Sequence, residues 1–191
     1  MEELELIYGA ISRFWKNILS FLAICCIAGA VPVSNDGKNS VIVNDQYQFE
    51  WSVSGEDIYF TVTAQTTGFV ALGVLPETGM EDEDVCIVGI YPDGTVYIND
   101  YHAHEPSIPH LDVEEGGTED WLLVDVSETE TATTATFYRK LVTADPLNDQ
   151  PILPGVARLV WSYGEADPTD FDNIILQRET TGVVEVVLVE P

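Results

Sequence analysis

The sequence predicts an all-β fold, an antiparallel β-sandwich of about nine to ten strands. Three observations predict it. Apolar and polar residues alternate through most of the chain after Lys38, the period of a half-buried strand. Short clusters of Gly, Pro, Asp and Glu separate these runs, and such clusters are turn signals. No helical period interrupts the pattern in that part of the chain.

Each element follows from its own residues. Tyr47, Phe49, Trp51 and Val53 fall at alternate positions, so they share one strand face. Ile58, Phe60, Val62 and Ala64 repeat the pattern after the turn Ser54-Gly55-Glu56-Asp57. Phe69–Leu75 and Val85–Tyr91 are nearly continuous apolar runs. The turn Pro92-Asp93-Gly94 joins the second of them to Thr95–Tyr101, a strong hairpin signal. Trp121–Val126, Thr131–Tyr138, Ala157–Tyr163 and Gly182–Val189 complete the set.

The front of the chain has a different composition. Ile18 to Val33 reads ILSFLAICCIAGAVPV, without charge, and Arg13 and Lys16 precede it. Ala28-Gly29-Ala30 has the small residues of a signal-peptidase site. A spanning helix needs about 20 apolar residues, and this run has 16. Residues 1–30 are therefore expected to be a secretory signal cleaved after Ala30, and residues 31–191 the sandwich. The protein is then secreted. Glu2, Glu3 and Glu5 depart from the usual basic signal start. The alternative is an N-terminal anchor that meets a membrane through residues 18–33. Cleavage would remove Cys25 and Cys26 and leave Cys86, which lies in the apolar run DVCIVGIY and reads as a buried small hydrophobe.

The 191 residues carry 33 Asp plus Glu against 7 Lys plus Arg, a formal net charge of −26. A nucleic-acid binder needs basic residues against phosphate, so that class is excluded. Electrostatic attachment to anionic membranes is excluded on the same ground. Cations, neutral small molecules and other proteins remain as partners. Such acidity also suits strong brine, where high charge keeps a protein soluble.

All three histidines lie close together, in YHAHEPSIPHLD. On an extended segment His102 and His104 point to one side. A turn through Pro106 and Pro109 would return His110 towards them. Three imidazoles with an open position suit Zn or Cu, and Glu105 and Asp112 could add oxygen ligands. The acidic run Glu77, Glu81, Asp82, Glu83 and Asp84 lacks the spacing of a Ca²⁺ loop and reads as a solvated face. Asp84 is the exception, since it adjoins an apolar strand and suits a structural hydrogen-bonding role. Trp51 and Trp161 read as core anchors. Arg139 is expected to pair with a nearby acid such as Asp145. No nucleophile elbow, P-loop, dinucleotide fingerprint or CxxC pair occurs.

An ordered set of landmarks spans Tyr47 to Val189. It comprises FEWSVSGEDIYFTVTAQTTGFVALGV, GMEDEDV with Met80 and Asp84, YINDYH, Pro109–Asp112, FYRKLVTADPLNDQPI and LVWSYGE. The set resembles the DOMON domain, the N-terminal immunoglobulin-like sandwich of dopamine β-monooxygenase and its relatives. Family members joined to the enzyme core often have Cys in the FYRK block, where Ala144 stands here. The copper domains of the monooxygenases have no counterpart in this sequence, so the resemblance implies a module without catalysis. It implies heme or a sugar-like molecule as ligand. In the heme-binding members a Met and a His hold heme b, and Met80 lies where that Met would fall. After LVWSYGE the sequence has no His.

The resulting expectation is an exported, non-catalytic binding or interaction module. Its pocket rim would be the Gly79–Asp84 and His102–Asp112 loops. The alternative is a small redox protein, carrying heme through Met80 or a transition metal through His102, His104 and His110.

Overall fold

A computed structural model describes residues 39–79, 81–104, 109–168 and 180–191. The signal or anchor, Met80, Glu105 and Pro106 lie outside the described residues. The described chain forms eleven strands: β1 (Asn39–Ile42), β2 (Tyr47–Ser54), β3 (Asp57–Ala64), β4 (Val70–Leu75), β5 (Glu83–Ile90), β6 (Val96–Ala103), β7 (His110–Leu111), β8 (Leu122–Glu128), β9 (Thr133–Lys140), β10 (Gly155–Tyr163) and β11 (Thr180–Val189). All pair antiparallel. They form a five-stranded sheet, β1-β2-β3-β9-β8, and a six-stranded sheet, β11-β10-β4-β5-β6-β7. The predicted β-sandwich is the observed fold.

The turns carry the expected chemistry. Ser54 pairs with Asp57, so Gly55 and Glu56 alone connect β2 to β3. Gly55 has φ of +65°, the backbone that tight hairpins need and that glycine adopts without a Cβ penalty. In the β5–β6 turn, Asp93 Oδ1 accepts the Thr95 N–H at 2.8 Å.

Alternation then divides the side chains. Phe49, Trp51, Phe60, Val62, Ala135 and Phe137 enter the core between the sheets. Their neighbours on β3 and β9 face outward as a cross-strand ladder. Tyr59 stacks on Tyr138 at 5.0 Å, and Thr61 and Thr63 hydrogen-bond Thr136 and Thr134. β4 and β5 follow another rule and are buried on both faces. Leu72, Cys86 and Val88 join the inter-sheet core, while Ala71, Val85 and Ile87 belong to a second cluster with Tyr97 and Tyr101. Cys86 is fully buried. Trp51 and Trp161 are core residues, and Trp51 Nε1 donates to the Leu188 carbonyl at 3.2 Å.

The charge of −26 sits mostly outside this core and repels itself. Salt screens that repulsion, with a Debye length of about 3 Å at 1 M. The melting temperature is therefore expected to rise between about 0.05 and 1 M NaCl. Scanning calorimetry across that range checks it, and a falling melting temperature would contradict it.

Candidate functional site

Two titratable clusters and one groove lie around the ends of β4, β5, β6 and β10.

The first cluster is buried and ties the sheets together. Asp84 on β5 and Arg139 on β9 are both fully buried and form an ion pair through Arg139 Nη1 and Asp84 Oδ2. Asp84 also accepts the Trp121 indole N–H at 2.7 Å and the Gln150 N–H at 2.9 Å. Arg139 Nη2 donates to the Gln150 carbonyl at 3.1 Å, and its guanidinium lies 5.0 Å from the Trp121 ring centre. Arg139 thus pairs with Asp84, and more distantly with the nearby acid Asp149 at 3.9 Å, not with Asp145. The carboxylate of Asp145 accepts from the Thr118 N–H and the Asn148 amide instead. Asp145 is near in sequence, but Asp84 is brought opposite Arg139 by the facing sheets.

Further acids crowd this pair. Asp100, Asp112 and Asp149 are all buried. Asp100 Oδ2 accepts the Asp120 N–H at 2.7 Å. Asp112, a candidate oxygen ligand for the histidines by sequence, belongs to this acidic group. Neither of its carboxylate oxygens has a hydrogen-bond donor among the described residues. Burial, reinforced by Asp84 and the other acids, pushes Asp100 up to about 9 and Asp112 up to about 8. Burial likewise pushes Asp149 up to about 7, with Arg139 opposing. One guanidinium does not neutralise this many carboxylates, so Asp100 and Asp112 hold protons at neutral pH and Asp149 is close to half-protonated.

The second cluster lies where two loops meet. β6 runs through Ala103, so His102 is a strand residue and is 1% exposed. His104 follows at the strand end with 55% of its side chain exposed. The rings lie 4.2 Å apart, edge to face. His102 Nε2 is 3.0 Å from His104 Nδ1. Asp82 Oδ1 is 3.1 Å from His104 Nδ1 and 3.5 Å from His102 Nε2. Asp82 has φ of +59°, a left-handed conformation that an Asp tolerates better than most residues. The outer ring nitrogens are also engaged. His102 Nδ1 donates to the Asn148 carbonyl, and His104 Nε2 to Glu115 Oε2 at 3.0 Å. The hydrogen bond to Asp82 raises the His104 pKa.

His110 does not join this cluster. It pairs with His102 across β6 and β7, but it is exposed and is not among the converging ligand atoms. Asp82 takes the third place. Within the acidic run Glu77, Glu81 and Asp82 are exposed, whereas Glu83 and Asp84 open β5 and are buried. The sequence shows no signal that separates Asp82 from its acidic neighbours.

The groove lies beside the segment that precedes Met80. It encloses about 420 Å³ and is lined by Leu75, Pro76, Gln150, Leu153, Val156 and Arg158, with Glu77 and Glu185 among its other walls. Arg158 Nη1 donates to the carbonyls of Pro76 at 2.7 Å and Gly79 at 2.8 Å, which holds the 76–79 segment as one wall. Leu153 and Val156 are 57% and 67% exposed. Trp161, read from the sequence as a core anchor, packs against Tyr47 at 5.2 Å inside the sandwich.

A family profile for the DOMON domain matches residues 43–164, from just before β2 to just after β10. The chain belongs to the DOMON family. The DOMON match omits β11, although Val184, Val186 and Leu188 of that strand are part of the core. A relative from Drosophila melanogaster, MOXD1 homolog 2, is 31% identical over 130 residues, covering 68% of this chain and 17% of the relative. DBH-like monooxygenase protein 1 from Gallus gallus is 31% identical over 121 residues, covering 63% and 19%. DBH-like monooxygenase protein 2 from Mus musculus is 29% identical over 143 residues, covering 75% and 22%. The DOMON chain thus spans about a fifth of the length of these relatives.

Proposed function

We propose that this chain is an exported, non-catalytic DOMON module that binds a small uncharged ligand. The groove between the 76–79 segment and the start of β10 carries the reading. Its volume of about 420 Å³ lies in the range of small-molecule sites, about 300–1,000 Å³. Leu75, Leu153, Val156 and the prolines supply apolar contact, and Gln150 supplies hydrogen bonds. Glu77 and Glu185 disfavour an anion. The similarity to monooxygenases covers about a fifth of their length. Export rests on Ile18–Val33 and Ala28-Gly29-Ala30; N-terminal sequencing of the protein from its native source would show residue 31 first.

Heme fits this groove poorly. Among its described lining residues there is no histidine. The one guanidinium among the described lining residues already serves two backbone carbonyls, and Glu77 and Glu185 would repel the carboxylates of heme.

The test is a ¹⁵N NMR titration of the chain with a panel of neutral mono- and disaccharides, alongside a hemin titration read in the visible. The expected result is saturable shifts at Leu153, Val156 and Arg158, lost in Val156→Arg. Shifts confined to the Tyr59–Tyr138 face would move the ligand site there. A sharp Soret band saturating at one heme per chain would replace the reading with a cytochrome.

A further inference from the structure

We propose that Asp82, His102 and His104 form a binding site for one divalent transition-metal ion, with Zn²⁺ as the natural probe. The site shares no lining residue with the groove and stands independently of the ligand reading.

The argument starts from the outer nitrogens. The Asn148 carbonyl can only accept, so His102 Nδ1 must carry a hydrogen. The Glu115 carboxylate likewise accepts from His104 Nε2. In the neutral rings these bonds place both remaining lone pairs on His102 Nε2 and His104 Nδ1. Those two atoms face each other at 3.0 Å, and Asp82 Oδ1 completes a triangle with sides of 3.1 and 3.5 Å. A proton on His104 Nδ1, facing Asp82 Oδ1 and His102 Nε2, relieves the repulsion among these atoms, and a metal ion that displaces it would meet three converging donors.

The triangle has the size that a metal requires. Ligands about 2.1 Å from a metal stand about 3.0 Å apart at right angles and about 3.4 Å apart at tetrahedral angles. The observed sides of 3.0, 3.1 and 3.5 Å span that range. Two imidazoles and one carboxylate are a borderline donor set that suits Zn²⁺ and other late first-row ions better than Ca²⁺. The outer hydrogen bonds supply the orienting shell that metal-bound histidines use. Exposure of His104 and Asp82, at 55% and 52%, leaves an open side for water or a fourth ligand.

Binding there would lock three pieces of chain: the turn before β5, the end of β6, and the 112–115 turn through Glu115. His102 connects the same ion to the Asn148 segment.

The experiment is a calorimetric titration of the intact chain with Zn²⁺ in excess Mg²⁺, which occupies the acidic surface. Co²⁺ absorption gives a second readout. One Zn²⁺ per chain is expected, with visible Co²⁺ bands below 700 nm. His104→Ala, an exposed position that should fold normally, is expected to weaken binding by about 100-fold, and Glu115→Gln by about tenfold. His110→Ala is expected to bind like the parent. Absence of a one-to-one site, equal affinity in His104→Ala, or a loss in His110→Ala as large as in His104→Ala would each overturn the proposal.

Discussion

Arg139→Met is expected to destabilise the domain by about 3–5 kcal/mol, the usual cost of removing one partner from a buried ion pair. Methionine preserves much of the apolar volume, so the loss isolates the charge. Without the guanidinium, Asp84 keeps its bonds from Trp121 and Gln150 but faces Asp100, Asp112 and Asp149 with no buried cation. Domains of this kind have about 5–15 kcal/mol in all, so the variant should lose a large share of its stability at neutral pH. Urea unfolding followed by tryptophan fluorescence measures it. The deficit should shrink towards pH 5, because protonated acids no longer need the arginine. A loss below about 1 kcal/mol, in the range of an exposed pair, would show that the Asp84–Arg139 bond is not what ties the sheets together.

Stability of the parent chain in metal-free buffer is expected to fall as pH rises from about 5 to 9. An unfolded Asp titrates at about 3.9, whereas folded Asp149, Asp112 and Asp100 titrate at about 7, 8 and 9. Between those limits the folded chain holds protons that the unfolded chain has released. The slope of stability with pH is then negative. The groups responsible face one another from several elements: Asp84 on β5, Asp100 on β6, Asp112 and Asp120 on the β7–β8 connection, Arg139 on β9, and Asp145 and Asp149 before β10. Melting temperatures at unit pH intervals in EDTA, at low and high salt, test the claim. Surface repulsion is screened by salt and is nearly complete by pH 6, so the fall above pH 6 should survive at high salt. A flat or rising profile there would contradict the buried-acid picture.

The sandwich was legible because its signal is local. Tyr47, Phe49 and Trp51 alternate in sequence and lie on one buried face, although Val53 at the strand end is 41% exposed. β1 and β7 escaped notice for the same reason: four and two residues are too few to show a period. The clusters were less legible because their partners are brought together by the fold. Asp84 meets Arg139 across 55 residues and Trp121 across 37. His102 and His104 could be read from their i, i+2 spacing, but Asp82, 22 residues before His104, was one acid among many. Asp100 was hidden likewise, and Asp112 could be read only as an oxygen ligand for the histidines. With 33 acidic residues in the chain, sequence alone does not show which few lose their water.

The hydrogen bond from Trp51 to the Leu188 carbonyl, spanning 137 residues, has a consequence for how the protein comes into being. β2 is made early, yet its tryptophan finds its acceptor only on β11, the last strand synthesised among those described. During translation Trp51 must wait without its acceptor until β11 is made. Loops this long close slowly, so the growing chain has a window of aggregation risk. A ribosome-bound fragment ending before Thr180 should stay protease-sensitive and bind a chaperone, while one extended past Val189 and clear of the exit tunnel should not.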